Sequence, residues 1–156
     1  MSHSEEGAPT MGAVIQFRRI DPDAKLPCKA HADDACFDVY ASNSVDIYPN
    51  TNAIISTGFE IGLPDGYAGL VCSRSGLAAK ESIFVLNAPG MIDAGYRGEL
   101  KVILHNANEH AVFTVQKGER VAQLFIQKVL PATCVEVDEF MHKTTRGVGG
   151  FGSSGK

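Results

Sequence analysis

No pair of the four cysteines (Cys28, Cys36, Cys72 and Cys134) has C-x-x-C spacing, and no histidine sits beside any of them. That argues against a zinc site. Cysteines in or next to strand-like runs read instead as buried, reduced thiols, which fits a reducing, cytoplasmic compartment. No apolar run approaches the ~20 residues that span a bilayer. The polar, acidic start "MSHSEEGAPTMG" lacks the apolar stretch of a signal peptide. Positive charge is not in excess: 14 Lys and Arg stand against 18 Asp and Glu, a formal net charge of −4. Such a chain is a poor candidate for nonspecific binding to nucleic acid or anionic membrane, so neither is expected as a partner. There is no internal repeat, and no Ser-His-Asp or Cys-His constellation stands out. The histidines read as surface or packing residues.

What the chain does have is a succession of short apolar or alternating runs. They are "VIQFRRI", "CFDVYAS", "VDIYP", "AIISTGFEIGL", "YAGLVCS", "ELKVILHN", "AVFTV", "RVAQLFIQKVL" and "CVEVDEF". Turn chemistry separates them: "YPNTN", "LPDGY", "NANEH", "QKGE". At 156 residues, 44% apolar and 21% charged, this is the composition of one soluble globular domain. Many short strands at close spacing predict an all-β sandwich or barrel of jelly-roll type. One short helix is expected in "SGLAAKES". Residues 1–13 read as a loosely ordered extension, 14–145 as the β domain, and 146–156 as a glycine-rich tail.

Five stretches carry candidate chemistry. In "CSRSGLA" a strand ends at Arg74, Ser75 and Gly76, and a helix begins. Read one way, the segment is an N-cap serine, a capping glycine and a solvated arginine; read the other, it is an anion cradle at a helix start. "NAPGMIDAGYRGEL" reads as a hairpin holding one carboxylate, Asp93, and one aromatic, Tyr96. Its backbone around Gly90, Met91 and Ile92, with Asn87 at its start, offers donors and acceptors in fixed register. The plainer alternative is a structural turn. In "GERVAQLFI", Gln123 interrupts an apolar strand and needs a hydrogen-bond partner, which neighbouring backbone can also supply. "RGVGGFGSSGK" is either a disordered end or a glycine-rich wrap for phosphate. Arg146 would supply charge to that wrap, and Phe151, near Gly152 and Ser153, would cover a base. In "DDACFDVYA", Asp38 lies opposite the Phe37/Val39/Ala41 face. There it faces solvent or sits close to a hydrated Mg²⁺ on a polyphosphate.

Together, in this order and spacing, the five stretches resemble the ordered motifs of the trimeric dUTP pyrophosphatase (dUTPase) family: "ACFDVYA", "CSRSG", "NAPGMIDAGYRGE", "GERVAQL" and "RGVGGFGSSG". They span residues 35 to 155. The resemblance implies a jelly-roll-like β domain, a homotrimer whose active sites draw on all three chains, and hydrolysis of dUTP to dUMP and pyrophosphate. It also implies roles. Asp93 matches the carboxylate that activates the attacking water, and Tyr96 the aromatic that stacks on deoxyribose and excludes a 2′-hydroxyl. Asn87, Gly90, Met91 and Ile92 match the uracil-reading backbone. Arg74, Ser75 and Gly76 match the phosphate motif, Gln123 the α-phosphate contact, and Lys101 lies just beyond the hairpin. Arg146, Phe151, Gly152 and Ser153 match the covering tail, and Asp38 the carboxylate near Mg²⁺.

Two departures are visible. Cys36 stands where glycine is frequent, and "IDAGY" replaces "ID-x-DY"; neither touches a residue assigned to chemistry. Phosphoryl transfer asks mainly for positioning and charge stabilisation, which suits a chain without an evident nucleophile. A carboxylate is ionised at neutral pH and can accept a proton as it stands. The alternatives are a dCTP deaminase-like enzyme, whose phosphate motif usually reads R-S-S, and a non-catalytic regulatory homologue.

Overall fold

Alternation decides which faces are buried. In "ELKVILHN" the side chains of Leu100, Val102 and Leu104 are buried, while Lys101, Ile103 and His105 point away. The computed structural model describes residues 12–150. It contains β1 (Gln16–Arg19), β2 (Cys36–Tyr40), β3 (Val45–Ile47), β4 (Asn52–Gly62), β5 (Tyr67–Cys72) and α1 (Ser75–Glu81). Then follow β6 (Ile83–Val85), β7 (Gly90–Ile92), β8 (Glu99–Asn106), β9 (Phe113–Val115) and β10 (Arg120–Lys128). The pairing is antiparallel throughout. Two four-stranded sheets, β1-β4-β8-β6 and β2-β10-β5-β7, accompany a two-stranded β3-β9. Val39, Ile55, Val102, Leu104, Val115 and Leu124 are among the residues that fill the space the sheets enclose. Each fully buried aliphatic side chain contributes about 1.5–3 kcal/mol. The all-β expectation with one short helix holds.

Three local expectations do not hold. "CVEVDEF" forms no strand: residues 129–148 are exposed and carry no strand at all. Val135 and Val137 alternate correctly, but no described strand pairs with them. The segment 87–98 is also not a plain hairpin. β6 and β8 pair with each other in one sheet, while β7, between them, crosses to the other sheet and pairs with β5. Nor are the cysteines buried. Cys28 and Cys134 are exposed, Cys36 and Cys72 are half-buried, and all four are free thiols. The expected extension 1–13 lies outside the described residues except for its last two. No described helix is long and apolar enough to cross a membrane.

A register shift in β4 between Ser56 and Glu60 anchors the loop after β1. Gly58 sits inside it at φ +74°, and its carbonyl accepts hydrogen bonds from the N–H groups of Ile20 and Asp21. A Cβ on Gly58 would lie 2.6 Å from the Ala24 Cβ and 2.8 Å from the Asp21 Cβ. Neither atom is the end of a flexible side chain, so the backbone has to move. Gly58→Ala is expected to destabilise the fold by roughly 2–4 kcal/mol, combining the left-handed backbone cost with overpacking. The fall in urea midpoint measures it; an unchanged midpoint would show that the loop yields freely.

Candidate active site

Eight of the predicted residues line two depressions that share no lining residue, while Ser75, Gly76, Asn87 and Gly90 lie outside their walls. The first, about 320 Å³, has Asp34, Cys36, Asp38, Arg74, Arg120 and Gln123 in its walls. Strand register builds it. Gln123 is opposite both Asp38 on β2 and Cys72 on β5, which puts the three side chains in one row across the sheet. Arg74 follows at the end of β5. A β-bulge between Arg120 and Ala122 completes the wall. In a regular strand, residues three apart face opposite sides. The bulge sets two residues of β10 against one of β2, so Arg120 and Gln123 share a face.

Asp38 does not face solvent. Its side chain is 9% exposed, with Arg120 Nη1 at 3.3 Å and Arg74 Nε at 3.9 Å. Arg74 Nη1 also donates to the Arg120 carbonyl at 3.0 Å. A buried carboxylate thus fixes two guanidinium groups whose remaining N–H groups can receive an anion bidentately. Behind them, burial pushes the Tyr40 phenol up to about 12, helped by its hydrogen bond with Cys28, so it stays neutral beside Asp38. Burial, and then the neighbouring Cys72, raise the Cys36 thiol as well.

Ser75 and Gly76 open α1, both exposed. The capping alternative for this tripeptide fails on geometry. The N-cap position is Arg74, with no side-chain cap bond, and the helix ends at Ser82, not at a glycine. Ser73 has the structural task instead, accepting the Val85 N–H at 2.9 Å.

The second depression, about 210 Å³, is walled by Met91, Ile92, Asp93, Tyr96, Leu100 and Lys101. β7 supplies its floor: Gly90 and Ile92 are buried and the Met91 side chain is exposed. Asn87 is exposed, and its side chain lies against the Gly90 α-carbon. A turn follows, closed by the Tyr96 N–H donating to the Asp93 carbonyl at 3.0 Å. The Asp93 carboxylate is exposed and has no hydrogen bond or ion pair among the described residues. Lys101 reaches the site from β8, with Nζ 3.5 Å from Glu99 Oε2.

Arg146 lines neither depression. It is exposed, and its Nε donates to the Gly149 carbonyl at 2.9 Å. Phe151, Gly152 and Ser153 lie outside the described residues. A further cavity of about 860 Å³ is walled by residues of the segment 139–148 alone and holds none of the candidate residues. Sequence reasoning missed Arg120. It stands in the fourth motif, but a spacing of three in a strand gives no sign that it faces the same way as Gln123; only the bulge does that.

Residues 22–155 match the family model for dUTPase. The deoxyuridine 5′-triphosphate nucleotidohydrolase of Thermobifida fusca is 48% identical over 149 residues, 95% of this chain and 83% of that protein. That of Mycobacterium tuberculosis is 43% identical over 93% of this chain and 97% of its own length. Among solved structures, the dUTPase of Staphylococcus bacteriophage 80alpha with dUpNHpp superposes with a TM-score of 0.84 at 30% identity, over 92% of this chain and 99% of that one. A dUTPase of phage phi11 of S. aureus, described for its structural Mg(II) ion, gives 0.77 at 26% identity, over 83% and 99%. Motif order, β topology and these relatives agree, and the chain belongs to the dUTPase family.

Proposed function

We propose that this protein hydrolyses dUTP to dUMP and pyrophosphate, by attack of water on the α-phosphorus. The observation that carries this reading is Asp93: an exposed carboxylate, unpaired among the described residues, in one depression with Tyr96. A carboxylate so placed is free to take a proton from water, and the aromatic beside it is positioned to wall a sugar. The backbone of β7 presents the uracil-reading edge, with Asn87 beside it. In that register thymine's methyl meets the wall and cytosine's reversed donor and acceptor go unpaired. Arg74, Arg120 and Gln123 receive the phosphates, with Ser75 and Gly76 at the start of α1.

Mg²⁺ fits this chain only at one remove. The described residues hold no group of three or more His, Cys, Asp or Glu able to bind a metal, and two arginines already engage Asp38. The ion would therefore arrive on the triphosphate, with Asp38 touching its water shell. Bound there, it neutralises phosphate charge.

The active unit is a homotrimer with shared sites. One chain keeps its base-and-sugar depression and its phosphate depression apart, and other copies bring the two kinds together. The segment after β10 extends apolar side chains that nothing among the described residues covers: Phe140 and Met141 are 89% and 90% exposed. The outward face of β4, β8 and β6 adds Ile54, Ile103 and Phe84. Arg146 to Ser153 act as a cover over the bound nucleotide. The free thiols suit a cytoplasmic enzyme.

Pyrophosphate release measured with dUTP, dTTP, dCTP and UTP, with and without Mg²⁺, tests the reading. Release from dUTP alone among the four supports it; ammonia from dCTP would replace it with a deaminase. Arg120→Ala is expected to raise KM for dUTP about tenfold with little change in kcat, the value of one charge-assisted hydrogen bond to phosphate. Unchanged KM would confine Arg120 to holding Asp38.

A further inference from the structure

Gly98, two residues beyond Tyr96, is built into the position of the Tyr96 ring. The phenol Oη donates to the Glu99 carbonyl at 2.8 Å, which folds the ring back over its own chain. The ring then lies directly on the Gly98 α-carbon. A Cβ there would meet Tyr96 Cζ at 2.7 Å and Cε2 at 3.0 Å, with Oη nearer still. Gly98 shows no left-handed backbone angle. Its lack of a side chain therefore serves the close approach and not the turn.

The residue whose carbonyl holds the phenol is anchored through its side chain. Glu99 Oε1 accepts the N–H of Gly58 at 3.0 Å, inside the β4 register shift, and Glu99 Oε2 is the partner of Lys101. Arg97 secures the other side of the turn. Its Nη1 donates to the carbonyls of Ala94 at 2.5 Å and Tyr96 at 2.7 Å. The ring is thus held by its hydroxyl, by the backbone around it, and by contact along one edge with a bare α-carbon.

We infer that Gly98 is a specificity-determining residue: by letting the Tyr96 ring seat against the backbone, it sets the wall that separates 2′-deoxyribose from ribose. It acts through Tyr96 and touches no substrate, so it is a positioning residue. The inference rests on the reading of Tyr96 as the sugar wall. A methyl group at position 98 forces the ring to retreat by roughly 1 Å and pulls its hydroxyl off Glu99. Misplacement of that size in a positioned group costs on the order of 10–100-fold.

The measurement is the ratio of kcat/KM for dUTP to kcat/KM for UTP, with melting temperature followed in parallel. Gly98→Ala should lower the ratio by about 10-fold or more. In a Tyr96→Ala background the same substitution should change the ratio no further, because there is no ring left to displace. A purely structural glycine would lower stability in both backgrounds and leave the ratio alone; that result, in a folded Gly98→Ala protein, overturns the inference. Equal loss of ratio with and without Tyr96 overturns it too. If Gly98→Ala does not fold, Tyr96→Phe takes its place. Freed from the Glu99 carbonyl, the ring should lose selectivity, and an unchanged ratio counts against the seat. Tyr96→Ala alone separates the two layers. If it keeps the wild-type ratio, the sugar-wall reading itself falls; if it loses the ratio while Gly98→Ala retains it, only the role of Gly98 falls.

Discussion

Asp93→Asn should bind a nonhydrolysable dUTP analogue about as tightly as the unaltered protein and turn over dUTP on the order of 10³-fold more slowly, the usual worth of a positioned general base. Asparagine keeps the size and one acceptor oxygen of the aspartate but cannot accept a proton at neutral pH. The fold gives no reason for a second effect. The carboxylate is exposed and makes no hydrogen bond or ion pair among the described residues, and the turn it begins is closed by its backbone carbonyl, which asparagine retains. Stability should move by less than about 0.5 kcal/mol, as at an ordinary surface position. Calorimetric titration with the analogue and single-turnover hydrolysis separate the two quantities. A kcat near the unaltered value would remove the base from Asp93, and a lost affinity with preserved kcat would make it a binding residue.

What could be read from the sequence follows from which interactions are local. β8 is legible because alternation over "ELKVILHN" needs only its own eight residues. α1 is legible for the same reason, a short run of good helix formers after a strand end. Features that depend on a partner strand are not. The bulge that turns Arg120 toward Gln123 exists in the pairing of β10 with β2, and no residue of β10 announces it. β7 looks like part of a hairpin because its neighbours in sequence are strands, yet its hydrogen bonds go to β5. Asp38 looks like a surface residue because polar residues in strands usually are; two arginines, 36 and 82 positions away, are what bury it. The alternation in "CVEVDEF" is the opposite case: a strand pattern that pairs with no described strand. Both kinds of failure concern contacts between distant segments, and the second concerns a segment whose partners the proposed homotrimer would provide.

The tail separates activity from folding most cleanly. Truncation after Thr145 removes Arg146 and everything beyond it. Among the described residues, the hydrogen bonds of 146–150 stay within the tail or reach only Thr144. Gly147 donates from its N–H to Thr144, and Gly149 and Arg146 bond each other. Among the described residues no hydrogen bond to either sheet is lost, and the apolar segment that includes Phe140 and Met141 is kept. The truncated protein should therefore remain a folded trimer, with its urea midpoint shifted by less than about 0.5 kcal/mol in free-energy terms. Its kcat/KM for dUTP should fall by on the order of 10²-fold or more. A cover that closes over nucleotide orders the triphosphate and excludes water other than the attacking one, and neither depression does this alone. The loss should appear with dUTP and with dUMP differently. Closure over β- and γ-phosphates strengthens only triphosphate binding, so dUMP affinity should change little. Sedimentation velocity and steady-state kinetics on one preparation decide it. Normal hydrolysis by the truncated trimer would return Arg146 and the glycines after it to the status of an unused end.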